Sequence, residues 1–155
     1  MPVTKLTTNI SKLSPGTLKS AINTKLYPQV KETLATLHSA GVVIALFSNK
    51  PQGACEKILA GLGIAPYFAE VIGGGGDFPL KPDPAALDFL REKFALPAKD
   101  CYMFGDHQTD IAAARRAGFR SIFASFGFGR LGKDAPDSRV NSFAEILPLL
   151  LGVEP

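Results

Sequence analysis

The sequence predicts an α/β fold, with a doubly wound sheet of parallel strands between two layers of helices. Short, continuously apolar runs such as Val42–Phe47 alternate with segments of helical period such as Val30–Leu37, and glycines separate the two kinds of segment. Continuous apolar runs are typical of parallel strands that are buried on both faces. Polar side chains follow these runs, with Ser48 after one and Asp106 close after another.

Composition limits the classes of protein that this chain could represent. With 155 residues, 46% of them hydrophobic and 20% charged, the chain is long enough for one globular domain with a core. The net charge of +3 suits an anionic small ligand. No Lys/Arg block with interleaved aromatic residues is present, so we expect no nucleic-acid partner.

The cysteines and the N-terminal sequence predict a cytoplasmic protein. Cys55 and Cys101 lie in apolar segments without metal-ligand spacing, and we interpret both as reduced core thiols. The N-terminal residues lack the apolar stretch of a signal peptide. No segment is long and apolar enough to predict a membrane span.

The first half of the chain contains three predicted elements after a weakly patterned segment, residues 1–25. A helix follows Pro28 and ends at Gly41, as expected for proline in a first turn and glycine at a helix end. Val42–Phe47 is predicted to be a buried parallel strand. A second helix begins at Pro51 and ends at Gly61.

The second half repeats the alternation. A strand is predicted over Phe68–Ile72, and the four glycines that follow lack the sequence of a nucleotide-binding loop. The remaining predicted elements are a helix from Pro84, a strand at Cys101–Phe104, a helix from Gln108 or Thr109 to Gly118, a strand at Ser121–Ala124, a loop at Phe126–Asp137 and a helix at Phe143–Leu150.

Four polar residues are candidates for one site at the carboxyl ends of the strands. Asp106 follows a strand and Asp110 lies in the first turn of the next helix, so two carboxylates could bind Mg²⁺ together with substrate phosphate. The alternative is structural, with Asp110 favouring the helix N-terminus and Asp106 in a turn. Ser48 and Lys81 could bind phosphoryl oxygens, or could be a helix N-cap and a solvated lysine.

Six segments in this order resemble the haloacid dehalogenase (HAD) superfamily, in particular its phosphoglycolate-phosphatase-like branch. The similarity begins at about Leu26 and runs to the C-terminus. The segments are LYPQVKETLATLHSAG, VVIALFSNKPQ, ILAGLGIAPYF, GGGGDFPLKPDP, MFGDHQTDIAAARRAG and SFGFG. The resemblance implies a HAD-like core over residues 26–155, preceded by residues 1–25 as a degenerate or replacement first strand.

The resemblance also implies roles for individual residues. Ser48 would be the phosphate-binding hydroxyl and Asn49 its neighbour in the phosphate-binding loop. Lys81 would stabilise the nucleophile and the phosphoryl charge, so that Ser48 and Lys81 would both be catalytic. Asp106 would be a ligand of the Mg²⁺ cofactor, and Asp110 the second acid of the same motif. The implied substrate is a small phosphorylated metabolite.

The chain departs from the family at its start. The family's first strand ends in Asp-x-Asp-Gly-Thr, which supplies the nucleophile and the general acid/base. The nearest sequence here is Leu13 to Leu18, with Leu13 and Pro15 where the two carboxylates would stand. Neither side chain can attack phosphorus or transfer a proton. The segment also leaves no room for the family's helical cap domain.

Three interpretations of function follow. The chain could be the core of an Mg²⁺-dependent phosphatase for a small phosphomonoester such as 2-phosphoglycolate, inactive or incomplete because the nucleophile is absent, either as a truncated product or as one half of an enzyme. It could instead be a catalytically dead module that binds phosphate or a partner. It could also be an α/β domain whose motif residues are now structural.

The missing strand raises a structural question. In the family it lies between the strands corresponding to Val42–Phe47 and Cys101–Phe104. An empty slot would leave buried backbone groups unpaired at about 1–3 kcal/mol each. Residues between Val3 and Ile10 could fill it, the slot could close, or a second chain could supply the strand. We expect the first, although alternate residues of this segment are polar.

Overall fold

The computed structural model describes residues 5–8 and 25–152, and they form a single parallel sheet of six strands in the order β3-β2-β1-β4-β5-β6. The sheet has helices on both faces, which confirms the predicted α/β, doubly wound class. The strands are β1 (Lys5–Thr8), β2 (Val43–Pro51), β3 (Glu70–Gly74), β4 (Cys101–Gly105), β5 (Arg120–Ala124) and β6 (Ser138–Val140).

Five α-helices connect and cover the strands. They are α1 (Val30–Ser39), α2 (Gln52–Gly61), α3 (Ala85–Lys93), α4 (Gln108–Ala117) and α5 (Ile146–Leu151), with short 3₁₀ turns at Ala65–Tyr67, Ala98–Asp100 and Phe143–Glu145. No helix in the described part of the chain is long and apolar enough to cross a membrane.

The hydrophobic core consists of two clusters, one on each face of the sheet. Leu34 of α1 and Leu59 of α2 pack with Ile44 and Leu46 on one face, where Ile146 of α5 joins them. On the other face, Leu87 of α3 and Ala113 of α4 pack in a cluster with Phe47 of β2 and Met103 of β4. This arrangement explains the continuously apolar strands, because both faces of each strand are buried.

The N-terminal segment fills the central slot, as the sequence analysis predicted, over Lys5–Thr8. This strand pairs with β2 on one side and β4 on the other, so that Thr7 stands opposite both Ala45 and Met103. The other residues of the predicted range, and the Leu13–Leu18 look-alike, lie outside the described residues. A second chain that supplies the strand was the alternative, and in this structure Lys5–Thr8 holds that position.

The fit of β1 in its slot is imperfect at Thr7. Its side chain is fully buried, and its Oγ1 has no hydrogen-bond partner within the described residues. The two residues opposite it in the ladder, Ala45 and Met103, belong to an apolar cluster. A buried hydroxyl without a partner costs about 1–3 kcal/mol of desolvation free energy.

We therefore expect Thr7→Val to raise the free energy of unfolding by about 1 kcal/mol, since valine keeps the branched shape and removes the unpaired hydroxyl. Urea unfolding followed by circular dichroism measures the change. Thr36→Val is the control, because Thr36 is exposed and its hydroxyl donates to the Glu32 carbonyl. If Thr7→Val lowered the stability, the hydroxyl of Thr7 would have a partner in the folded protein.

One strand was not predicted. Residues Ser138–Val140, which follow the predicted loop, form β6 at the sheet edge and pair with β5. Asp137, which directly precedes β6, holds the start of this strand beside β5. Its carboxylate accepts hydrogen bonds from the backbone N–H and the hydroxyl of Ser121. Three residues give too short a pattern for sequence periodicity to identify.

Candidate active site at the carboxyl edge of the sheet

The carboxyl ends of β2 and β4 border a cleft of about 650 Å³. Ser48 reaches it from β2, Asp106 from the end of β4, and Lys81 from the loop before α3. The predicted convergence of these three residues is therefore confirmed. The other residues that line the cleft are Asn49, Lys50, Pro51, His107, Thr109, Phe128 and Gly129.

The wall of the cleft at β2 is a three-residue segment, Ser48 to Lys50. Ser48 is buried, and its Oγ accepts a hydrogen bond from the backbone N–H of Lys50 at 3.2 Å. The side chain of Asn49 spans the backbone of Lys81: Oδ1 accepts from its N–H at 2.8 Å and Nδ2 donates to its carbonyl at 3.3 Å. Asn49 thus ties the loop carrying Lys81 to the end of β2.

Lys81 is held by a buried ion pair. Its Nζ lies 2.7 Å from Oδ1 of Asp110, and both side chains are almost completely buried. The same ammonium donates to the carbonyl of Phe47 at 3.2 Å and lies over the Phe47 ring. A lysine ammonium has three hydrogens, and these two bonds use two of them.

Asp110 organises the start of α4. Its Oδ2 accepts hydrogen bonds from the backbone N–H groups of Asp106 and His107, both at 3.1 Å. Gly105 makes this arrangement possible, because a Cβ atom at that position would overlap the Asp110 carboxylate. At the other end of α4, Gly118 adopts a left-handed conformation with φ of 73° and ends the helix as predicted.

Asp106 faces the cleft from the opposite wall. Its Oδ2 accepts a hydrogen bond from the backbone N–H of Gly129 at 2.6 Å. Gly129 approaches so closely that a Cβ atom there would overlap the backbone carbonyl of Asp106. The loop after β5 therefore closes the site, a role that pattern analysis did not assign to it, although the Gly-containing segment SFGFG was its signal.

Sequence reasoning gave Lys50 and Thr109 no role at the site, and left His107 as either a solvent-facing substitution or a specificity residue. Nδ1 of His107 accepts a hydrogen bond from the backbone N–H of Thr109 at 3.3 Å, so the imidazole caps α4 at the edge of the cleft. Lys50 is half-buried. Burial lowers the pKa of the Lys50 ammonium, and the neighbouring Cys55 partly opposes that change.

Cys55 lies beneath the Ser48 to Lys50 segment. Its thiol is buried and donates to the carbonyl of Lys50 at 3.6 Å. Burial raises the pKa of this thiol, although Ser48 and the ammonium groups of Lys50 and Lys81 act in the opposite direction. Cys55 and Cys101 are both free and buried, which agrees with the prediction of core thiols.

The two predicted metal ligands, Asp106 and Asp110, differ in the contacts and the position of their carboxylates. Both oxygens of Asp110 accept hydrogen bonds from protein donors, whereas Asp106 lines the cleft. No group of three or more Asp, Glu, His or Cys side chains within the described residues is placed to hold a metal ion. Of the two predicted ligands, Asp106 is the one that lines the cleft, and Mg²⁺ at phosphate sites usually takes only one or two carboxylates.

The roles predicted for the site residues remain predictions, but the structure divides these residues into two groups by their contacts. Ser48, Lys81 and Asp106 have polar groups at the cleft. The structure gives Asn49 and Asp110 contacts that position other residues, through the backbone of Lys81 and through the start of α4.

Similarity to known proteins covers most of the chain. Residues 14–118 match the family model of haloacid dehalogenase-like hydrolases. A phosphoglycolate phosphatase from Vibrio parahaemolyticus is 41% identical over 128 residues, which is 81% of this chain and 56% of that protein. A second, from Pectobacterium atrosepticum, is 41% identical over 128 residues, covering 81% and 55% of the two chains.

Solved structures agree with this similarity. The crystal structure of a predicted phosphoglycolate phosphatase from Haemophilus somnus 129pt superposes with a TM-score of 0.78 at 36% identity, covering 82% of this chain and 58% of that chain. A haloacid dehalogenase-like hydrolase from Streptococcus pneumoniae, 15% identical, shares the fold with a TM-score of 0.78 over 95% of this chain and 98% of its own. The chain spans little more than half the length of the curated relatives that it matches.

Proposed function

Because the chain belongs to the haloacid dehalogenase-like hydrolase family, we propose that it is a phosphate-binding phosphatase core whose family reaction is Mg²⁺-dependent hydrolysis of a small phosphomonoester such as 2-phosphoglycolate. The observation that supports this most directly is the convergence of Ser48, Lys81 and Asp106 on one cleft. A hydroxyl, an ammonium and a carboxylate are the groups that phosphoryl chemistry requires.

Lys81 is suited to bind a phosphoryl oxygen without moving. Asp110 and the carbonyl of Phe47 fix the ammonium and accept two of its three hydrogens. The third hydrogen has no partner within the described residues and can donate into the cleft. A donor that is already in place costs no reorganisation when the anion binds.

Ser48 and Asp106 complete the binding groups. The hydroxyl of Ser48 accepts from the backbone N–H of Lys50 and keeps one hydrogen to donate, which a phosphoryl oxygen would take in place of the neighbouring Cys55 sulfur. Asp106 would hold Mg²⁺ through a carboxylate oxygen, with phosphate and water as further ligands. When bound, the metal would offset the negative charge of the phosphoryl group.

No Asp or Glu stands in this sequence where the family resemblance would place the nucleophile. It contains no Asp or Glu before Glu32, and the central strand β1 has the sequence Lys-Leu-Thr-Thr. Covalent phosphoryl transfer through an aspartyl phosphate requires a carboxylate at the end of that strand. We therefore propose that the 155-residue chain binds phosphate but does not turn over phosphomonoesters.

This absence also supports a second candidate function, a phosphate-binding module without catalysis. The predicted phosphate-binding residues Ser48, Asn49 and Lys81 all line the cleft, whereas the first carboxylate in the sequence is Glu32. The two candidates differ in one respect. A phosphatase core should gain turnover when a segment with the acidic motif is supplied, and a binding module should not.

The experiment measures binding and turnover separately. We expect calorimetry to detect inorganic phosphate binding in the presence of Mg²⁺, and Ser48→Ala to weaken it about tenfold because a hydrogen bond to a charged ligand is lost. Ser125→Ala is the matched control, since Ser125 is exposed and does not line the cleft. Turnover of 2-phosphoglycolate by the purified chain should be undetectable.

Two outcomes would contradict the proposal. Equal phosphate affinity in Ser48→Ala and the unmodified chain would place the anion elsewhere. Mg²⁺-dependent turnover that disappears in Asp106→Ala would show that another group supplies the nucleophile. Replacing residues 1–25, which include β1, by an apolar strand that ends in Asp-x-Asp-Gly-Thr then separates the phosphatase core from the binding module.

A further inference from the structure

A second groove lies along the edge strand β3, away from the phosphate cleft. It has a volume of about 320 Å³, and none of the residues that line it also lines the cleft. The chain carries a net charge of +3, yet the described residues that line this groove include two carboxylates, Glu70 and Asp77, and no lysine or arginine. The groove therefore differs from the chain as a whole in the sign of its charge.

Two aromatic rings belong to the lining of the same groove. Phe78 lies in the loop after β3 and packs against the hydrophobic core, whereas Phe89 of α3 is 38% exposed. Their ring centroids are 4.9 Å apart, and the ring planes are inclined at 39°. The face of an aromatic ring is electron-rich and attracts cations within about 6 Å of its centroid. Both the carboxylates and the rings of the groove thus favour a cationic ligand.

An ammonium group of the chain already makes contacts of this kind. Nζ of Lys93 lies 5.7 Å from the centroid of the Phe89 ring and forms an ion pair with Glu70. Two residues of the groove therefore accept a primary ammonium in the folded chain. The side chain of Lys93 is 45% exposed, and an exposed ion pair is weak enough for another ammonium to replace it.

Asp77 provides a carboxylate that is not neutralised in this way. It is exposed, and none of the ion pairs among the described residues includes it. Two carboxylates, Glu70 and Asp77, and one ammonium, Lys93, leave one negative charge at the groove. A bound monocation would neutralise that charge.

We propose that this groove binds a small organic amine through its primary ammonium group. Asp77 accepts a hydrogen bond from the ammonium, the rings of Phe78 and Phe89 contact the amine, and Lys93 competes with it for Phe89 and Glu70. The proposal does not depend on the phosphatase function, because the groove and the cleft have no lining residue in common.

Two ligands that differ only in their polar end test the proposal. n-Butylammonium resembles a lysine side chain, and 1-butanol has the same alkyl chain with a neutral hydroxyl. We expect the unmodified chain to bind n-butylammonium about tenfold more tightly, because the ammonium adds a charge-assisted hydrogen bond and a cation–π contact. Amide chemical shifts in ¹H–¹⁵N NMR spectra measure the binding, and the largest changes should occur at Gly73, Gly76 and Phe78 of the groove.

Three variants identify the groups that recognise the ammonium. Asp77→Asn should weaken the binding of n-butylammonium about tenfold, because the charged acceptor is lost. Phe89→Leu should weaken it about threefold, since leucine keeps the apolar surface but has no ring to attract the cation. Lys93→Met should strengthen it about threefold, because the competing ammonium is removed. The affinity for 1-butanol should not change in any of them.

Lys99→Met is the matched control for charge. It makes the same change of net charge as Lys93→Met at an exposed position outside the groove, and it should leave both affinities unchanged. Circular dichroism of each variant checks that the fold is intact.

Several outcomes would overturn the proposal. Equal affinities of the unmodified chain for the two ligands would show that the groove accepts an apolar chain and does not recognise a cation. Unchanged binding of n-butylammonium in Asp77→Asn and Phe89→Leu would place the amine elsewhere, and weaker binding in Lys93→Met would contradict the competition between the two ammonium groups. The absence of binding to both the unmodified chain and Lys93→Met would exclude the site, while the proposed function would stand.

Discussion

Replacing Asp110 by alanine should lower the free energy of unfolding by about 3–5 kcal/mol, the usual result of removing one partner from a buried ion pair. The ammonium of Lys81 would remain buried without its carboxylate. The backbone N–H groups of Asp106 and His107 would also lose their acceptor. Urea unfolding followed by circular dichroism measures the effect.

The matched control removes a carboxylate from an exposed ion pair. Asp134 pairs with Arg115, whose side chain is 74% exposed. Asp134→Ala should change the stability by no more than about 1 kcal/mol, because water screens such a pair. Similar losses in the two variants would show that the Lys81–Asp110 pair does not have the buried environment described above.

A double variant separates the ion pair from the other contacts of Asp110. In Lys81→Met/Asp110→Ala the buried ammonium is absent as well, so the double variant should be more stable than Asp110→Ala alone. The residual loss then reflects the two backbone N–H groups. A double variant that is less stable than Asp110→Ala would contradict this explanation.

Introducing a single methyl group at Gly105 should have the second largest effect. The Cβ atom of alanine would overlap the Asp110 carboxylate, which cannot move aside because three donors hold it in place. We expect Gly105→Ala to lower the free energy of unfolding by about 3 kcal/mol, at the upper end of the range for overpacking. Phosphate binding should weaken as well, since Asp110 positions Lys81.

Gly61 provides the control for this substitution. It lies at the end of α2, and an added Cβ atom would meet nothing within 4 Å. Gly61→Ala should therefore leave stability unchanged or raise it by up to about 1 kcal/mol, since alanine loses less backbone entropy than glycine in a helix. Equal stability of Gly105→Ala and the unmodified chain would show that Asp110 does not pack against the end of β4.

The central strands were predictable because burial on both faces requires a continuously apolar sequence. β2 and β4 are buried on both faces, so almost every residue in their interior is apolar. Gly118 and Gly41 ended their helices as expected. β6 has no continuously apolar sequence, because it is a three-residue edge strand fixed by side-chain contacts of Asp137.

The convergence of the site was also predictable, for a topological reason. Parallel strands place all their carboxyl ends at one edge, so residues that follow different strands must meet there. The individual contacts were not predictable in the same way. Asn49 lies 32 positions from Lys81 and Asp106 lies 23 positions from Gly129, and no local pattern relates residues so far apart.

Local periodicity and the ends of strands were sufficient to predict the fold class, the order of the elements apart from β6, and the residue types that meet at the cleft. Which of the two aspartates faces the cleft became known only from the folded chain. The Asp110 carboxylate forms an ion pair with Lys81 and accepts a hydrogen bond from the backbone at the start of α4, whereas Asp106 lines the cleft. Tertiary packing also placed Lys5–Thr8 at the centre of the sheet. This polar segment occupies an apolar slot because unpaired backbone groups along two strands would cost more than one buried hydroxyl.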